Sequence, residues 1–216
     1  MTMQALFPPG VAVATSTVDD PTEPLLPAEE EAVRHAVAAR KHEFAVGRAC
    51  ARRALQRLGV DPGPIPAGSR REPMWPEGIV GSITHCPSFC AAAVASAADF
   101  LTIGIDAAVN ERLKPSVQNL IVRTERERRW LGRSDSRVAW EVVLFSIKES
   151  VFKAWSPLDG RRLGFQDVQV TLDPEAAAFQ ADVLAPPPGP TRSLSGHFAV
   201  TADLVFSAVA LPRPQP

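Results

Sequence analysis

Residues 140–155, WEVVLFSIKESVFKAW, place apolar side chains at Trp140, Val143, Leu144, Ile147, Val151 and Trp155. These positions follow a 3.6-residue period, so the segment predicts a helix with one stripe turned to a core. Glu149 falls off that stripe. It sits between Phe145 and Phe152, with Lys148 and Lys153 beside it. A carboxylate flanked by aromatic rings on a second face is partly desolvated, which suits cation binding or proton transfer. The plainer alternative is a surface pair with Lys153 at i,i+4, worth about 0.2–0.5 kcal/mol.

Working outward, strand patterns lie on both sides of this helix. Before it, residues 79–85, 91–97 and 100–105 alternate or run as small apolar segments, the last ending at Asp106. After it, residues 168–172, 179–184, 196–201 and 204–211 alternate in a way that predicts an antiparallel sheet. Further upstream, Pro27 followed by three glutamates starts a second helical pattern, running with one break to Leu58 and stopped by Gly59. A helix with strands in each half predicts an α+β fold of two similar lobes. The residues before Pro27 show little periodicity and are expected to be extended or loosely packed.

With 216 residues the chain is long enough to bury a core unaided. Its 45% hydrophobic and 22% charged content is that of an ordinary globular protein. The 21 prolines gather at the N-terminus, at Pro62–66, at Pro186–190 and at the C-terminus, where they mark loops and tails. A net charge of −1 argues against general nucleic-acid affinity. Cys50, Cys86 and Cys90 are an odd number without framework spacing and follow no signal peptide, so a reducing cytoplasm is expected. His85, Cys86 and Cys90 lack the second ligand pair that a zinc site needs. No apolar run reaches the roughly 20 residues of a membrane span.

The chemistry converges on a few positions. Asp106 closes its strand, where a rigid backbone can hold a carboxylate toward a cation, although a turn-forming aspartate is the plainer reading. With Glu149 it supplies the one or two carboxylates that Mg²⁺ prefers, leaving room for water and substrate phosphate. Lys41, Arg48 and Arg52 form a basic stripe on the upstream helix, and Arg70 and Arg71 follow in a loop. These offer phosphate sites, Arg through bidentate contacts. Gly81, Ser82, Thr84 and His85 make a small, hydroxyl-bearing strand end. Together they imply a polyphosphate ligand, Mg²⁺ and phosphoryl-type transfer. An arginine-rich segment, with Arg112, Arg123, Arg126, Arg128, Arg129, Arg133 and Arg137, is either a solvated helix face or a dock for an acidic partner.

Five motifs in order carry a resemblance: residues 40–48 (RKHEFAVGR), 72–85 (EPMWPEGIVGSITH), 104–106 (GID), 145–155 (FSIKESVFKAW) and 163–165 (LGF). The chain resembles the 4'-phosphopantetheinyl transferases of the surfactin and enterobactin synthetase type, in particular their actinobacterial members. The resemblance implies a pseudo-dimeric fold of two α/β lobes in one monomeric chain. Residues 1–103 would form the N-terminal lobe and 104–216 the C-terminal lobe, with coenzyme A in the cleft between them. It implies Mg²⁺-dependent transfer of the 4'-phosphopantetheine group from coenzyme A to a serine of acyl or peptidyl carrier proteins, releasing 3',5'-ADP. Carrier proteins of fatty-acid, polyketide or nonribosomal peptide biosynthesis are the implied partners, with neither nucleic acid nor membrane involved.

By matching positions, Asp106 and Glu149 would be metal ligands, with Glu125 a third acid. Glu149 would also be the base toward the serine. Asp106 and Lys153 would complete the catalytic group. Lys148 and Lys153 would hold phosphate oxygens or the leaving group, Ser82 and His85 would contact the nucleotide phosphates, and Lys41, Arg48 and Arg70 would surround the 3'-phosphate. Gly164 and Phe165 would lie near the pantetheine arm or the carrier. One departure stands out: the acid usual two residues after the strand-end aspartate is Ala108 here. It implies weaker metal affinity or, alternatively, a coenzyme A or carrier-binding module without transfer. A nucleotide-dependent ligase or kinase is a further alternative, opposed by the lack of a GxxxxGK[ST] loop.

Overall fold

Two antiparallel sheets, each crossed by a 20-residue helix, make up the computed structural model. It describes residues 2–17, 19–20, 23–131, 137–160, 163–184 and 193–214. The expectations for Arg133 and for Pro186–190 fall outside these residues.

The first sheet has the order β1 (Val11–Ser16), β3 (Phe89–Ser96), β2 (Ile79–Cys86). Central β3 is buried on both faces, which explains its run of small apolar residues. Ala91, Ala93 and Ala95 face one core, while Cys90, Ala92 and Val94 face another against α2 (Ala38–Arg57). Short α1 (Pro27–Glu30) and a 3₁₀ turn, Glu31–Val33, precede α2, and Gly59 leaves the helix end at φ +79°.

Of the two expectations for the N-terminal stretch, extended holds and loosely packed does not: it pairs as β1 with β3, from Val11 opposite Ala95 to Ser16 opposite Cys90. Met3, Leu6, Val11 and Val13 are buried. The segment VAVATS is short and built of small residues, so its alternation carries little weight until β3 provides a partner.

The second sheet runs β4 (Phe100–Val109), β8 (Leu204–Pro212), β7 (Ser193–Val200), β6 (Ala178–Val183), β5 (Val168–Asp173). Helix α5 (Trp140–Asp159) packs on β4 and β8 with the expected stripe inward: Val143, Leu144, Ile147 and Val151 are 0% exposed. Because β4 pairs with β8 along its length, the change of sheet lies in the turn at residues 97–99. A boundary between residues 103 and 104 would cut the strand. The arginine-rich segment forms two short helices, α3 (Pro115–Ile121) and α4 (Glu125–Leu131).

Side chains stitch the two sheets together where β2 meets β4. The Ser82 hydroxyl accepts the Ile105 N–H at 3.2 Å, and the Thr84 hydroxyl accepts the Ala107 N–H at 3.1 Å. One core cluster continues across this seam, from Met3 and β1 through Ile103 and Ile105 to Phe206.

Candidate functional site

Strand β4 turns Ile103 and Ile105 into that shared core and Gly104 toward α5. A Cβ at Gly104 would lie 2.0 Å from the Ser150 carbonyl oxygen, so only glycine lets α5 approach this closely. The Thr102 hydroxyl secures the contact by donating to the Ala154 carbonyl at 2.8 Å. This approach brings Lys153 against the strand end. Its ammonium donates to Asp106 Oδ1 at 2.8 Å, to the Ile105 carbonyl at 3.0 Å and to the Thr84 hydroxyl at 3.2 Å. Thr84 donates to the same carboxylate oxygen at 3.2 Å.

Asp106 is 6% exposed, and its other oxygen, Oδ2, is buried without a hydrogen-bond partner. A buried, unpaired carboxylate oxygen is costly, and a cation would satisfy it. Glu149 lies half-buried on the neighbouring helix face. Burial is the main cause raising its pKa; Lys153 opposes the shift and the Asp106 charge adds to it. Two carboxylates that feel each other in a partly desolvated place fit a divalent cation with oxygen preference. Among the described residues no group of three His, Cys, Asp or Glu side chains gathers, so such a cation would draw its remaining ligands from water or substrate. Ala108 follows two residues on and packs against the second sheet's core. Glu125 does not gather with these two carboxylates: its side chain is 76% exposed and pairs with Arg128 at 3.8 Å.

A pocket of about 270 Å³ opens beside Glu149, walled by Phe152, Leu163, Gly164, Phe165 and Val168. The Phe165 ring packs at 5.6 Å from that of Phe145. Lys148 borders this pocket, but its ammonium is engaged by protein groups. It is 2% exposed, donates to the carbonyls of Ile121 at 2.7 Å and Phe165 at 3.0 Å, and pairs with Glu127 at 3.0 Å. Glu127 is the member of this region that sequence reasoning missed, and Thr84, singled out there for its hydroxyl, serves Asp106 and Lys153 instead. The spacing Thr124-x-x-Glu127 was a usable signal, since it is a capping box: the Glu127 N–H donates to the Thr124 hydroxyl, and Glu127 accepts the Thr124 N–H.

The other basic residues divide. Lys41 is exposed near the start of α2 and borders a second pocket of about 420 Å³, with Leu25, Pro27, Glu30, Val33 and Arg34. Arg48 is 4% exposed, donates to the Ile65 carbonyl and lies 4.1 Å over the Phe44 ring. Burial lowers its pKa to about 10, against the opposing pull of Glu29. Arg52 is bound instead to buried Glu29 at 2.9 Å. Arg70 reaches across to the Gly160 carbonyl at the C-terminal end of α5, and Arg71 turns the chain at φ +68°. His85 lies with Nε2 2.9 Å from an Arg40 nitrogen, and its pKa is lowered chiefly by burial. Ser82 is 4% exposed and its hydroxyl supports β4 in the seam. Thus Asp106, Glu149 and Lys153 come together, with His85 near enough to feel both Asp106 and Lys153.

Comparison with known proteins adds an independent line. Residues 28–95 match the 4'-phosphopantetheinyl transferase N-terminal domain, and residues 102–205 match the 4'-phosphopantetheinyl transferase superfamily. The chain is 46% identical over 207 residues to 4'-phosphopantetheinyl transferase Svp of Streptomyces mobaraensis, covering 93% of this chain and 84% of that protein. It is 37% identical to Npt of Nocardia iowensis, covering 85% and 88%. It is 35% identical to PptT of Mycobacterium tuberculosis, covering 93% and 92%.

Proposed function

Since the chain belongs to the 4'-phosphopantetheinyl transferase superfamily, we propose how its residues divide the work of transferring phosphopantetheine to carrier proteins. The donor is coenzyme A, lying in the cleft between two lobes of a pseudo-dimeric, monomeric chain. Lys41, Arg48 and Arg70 hold its 3'-phosphate, His85 approaches the pyrophosphate, and the pocket walled by Phe152 and Phe165 receives the pantetheine arm. Arg70 gives up its bond to the Gly160 carbonyl to do so. Asp106, whose Oδ2 has no partner, and Glu149 would hold Mg²⁺. When bound, this ion neutralises negative charge on the pyrophosphate during attack at phosphorus.

Glu149 takes the proton of the carrier's serine hydroxyl, directly or through a water. The serine oxygen bonds to the β-phosphorus, the phosphoanhydride bond breaks, and 3',5'-ADP leaves. Lys153 steadies Asp106 and faces the developing charge. Exposed Arg123, Arg126, Arg128 and Arg129 beside the pocket dock acyl and peptidyl carrier proteins of acidic surface. Free Cys50, Cys86 and Cys90 support a cytoplasmic setting. No helix among the described residues is long and apolar enough to cross a membrane.

The observation that carries this reading is the orphaned Asp106 Oδ2 beside Glu149. Intact-mass measurement of an apo carrier protein incubated with the enzyme, coenzyme A and Mg²⁺ tests it, with Glu149→Ala as control. A gain of one phosphopantetheine, abolished by the substitution and by chelation, is expected. Coenzyme A binding without any gain across acyl and peptidyl carriers would instead mark a binding module.

A further inference from the structure

Beneath the pocket beside Glu149 lies an ion pair sealed from solvent. Lys148 is 2% exposed and Glu127 0%. Besides its pair with Glu127, Lys148 donates to the carbonyls of Ile121 and Phe165. Glu127 accepts the Val170 N–H on Oε1 at 2.9 Å, and the Arg123 and Thr124 N–H groups on Oε2 at 2.6 and 3.2 Å. The pair therefore ties five pieces of chain together: the helix that bears Glu149, α4 with Glu127, the segment 121–124 at the end of α3, the 3₁₀ turn Phe165–Asp167 and β5. Among these, Phe165 is a wall of the pocket and Val168 its floor.

Such a pair is a poor device for stability alone, because desolvating two charges offsets their attraction. What it supplies is geometry. The two carbonyls and three N–H groups it binds belong to segments with no ladder or helix bond to α5, so the pair, together with the Phe145–Phe165 ring contact, holds the opposite wall at its distance from α5.

We infer that the Lys148–Glu127 pair is a positioning device for the transfer step, holding the Phe165 wall against Glu149. It thereby fixes both the alignment of the reacting arm and the width of the pocket that receives it. The inference rests on the proposed placement of the pantetheine arm in this pocket. Neither residue touches the reacting atoms. Loosening the wall should slow transfer and relax discrimination against donors with a bulkier arm, while leaving nucleotide binding in the other half of the molecule alone.

The test is the double variant Lys148→Met/Glu127→Gln, which removes both charges together and leaves neither stranded. Cooperative thermal unfolding verifies its fold, and calorimetric titration measures binding of 3',5'-ADP, the nucleotide end alone. Affinity for 3',5'-ADP should stay within about two-fold of wild type, while kcat with coenzyme A falls about ten-fold or more. The ratio of kcat/KM for coenzyme A over benzoyl-coenzyme A should fall about five-fold or more. A purely structural role would lower both donors in parallel, so an unmoved ratio overturns the inference, as does unchanged kcat. Glu127→Gln alone keeps shape and an acceptor, and should move the ratio the same way by about two-fold. An unmoved ratio in that variant overturns the inference even where the double variant fails to fold. Wild-type enzyme that transfers while the variants keep the ratio defeats only the positioning role. Wild-type enzyme that transfers nothing defeats the functional reading itself.

Discussion

Gly104→Ala tests whether the close approach of α5 to β4 sets the site. The added Cβ would lie 2.0 Å from the Ser150 carbonyl oxygen, 2.8 Å from the Ala154 nitrogen and 2.9 Å from the Ala154 Cβ. Carbon contacts are favourable only near 3.5–4.0 Å, so the helix would have to withdraw by about 1.5 Å at this point. The two nearest atoms struck are backbone and the added Cβ has no rotamer freedom, so no rotamer change can relieve the clash. Overpacking of this kind costs about 1–3 kcal/mol, and a clash against backbone belongs at the upper end. For a chain of this size about 3 kcal/mol lowers Tm by about 6–12 °C. The functional effect should be larger than the loss of stability suggests. Ser150 and Ala154 flank Glu149 and Lys153, so the shift is passed directly to the 2.8 Å contact between Lys153 and Asp106. A misplacement of about 1 Å costs about 10²-fold in rate. Phosphopantetheine transfer at saturating coenzyme A, alongside thermal unfolding, reads both effects. Gly63→Ala serves as control, having nothing within 4 Å and no positive φ. A Gly104→Ala protein with wild-type Tm and transfer would refute the argument that helix approach sets the site.

Other expectations follow from the same contacts. Thr84→Val is nearly isosteric but strands the Ala107 N–H and removes a donor from Asp106. It should cost about 2–4 kcal/mol in chemical denaturation while Thr84→Ser stays near wild type; equal stability of the two variants would contradict this. Ala108→Glu adds a carboxylate two residues after Asp106 and should lower the Mg²⁺ concentration for half-maximal rate. An unchanged requirement would show that position 108 does not face the ion. Arg126→Glu/Arg129→Glu reverses two exposed charges on α4 and should raise the KM for carrier without altering that for coenzyme A. Parallel changes in both constants would argue against a separate docking face.

Much of the site was legible because its signals are local. The stripe of α5, the acid off that stripe, the strand ending in Asp106 and the glycine that stops α2 each depend on the spacing of near neighbours. Periodicity survives whatever the rest of the chain does. Residues whose placement was not legible share one reason: their contacts are made with partners distant in sequence. Lys148 and Glu149 are adjacent, and nothing in KES tells which of them is sealed on a distant glutamate and which borders the pocket. Glu125 and Glu127 both lie in one short helix, and only packing against β5 decides that the second turns inward. Ser82 looked available until Ile105 was placed 3.2 Å from its hydroxyl.

By itself, then, the sequence determined the element types from α1 onward, the family, and the pair of acids with a lysine between helix and strand. Those follow from composition, period and motif order, which are properties of the chain alone. The tertiary structure decided that β1 belongs to the first sheet and that Thr84 joins the Asp106 carboxylate. It also decided that Lys148 is a buried anchor and that one oxygen of Asp106 has no partner. Burial forces each polar group to find a specific partner or go without, and that outcome exists only once distant segments are packed together.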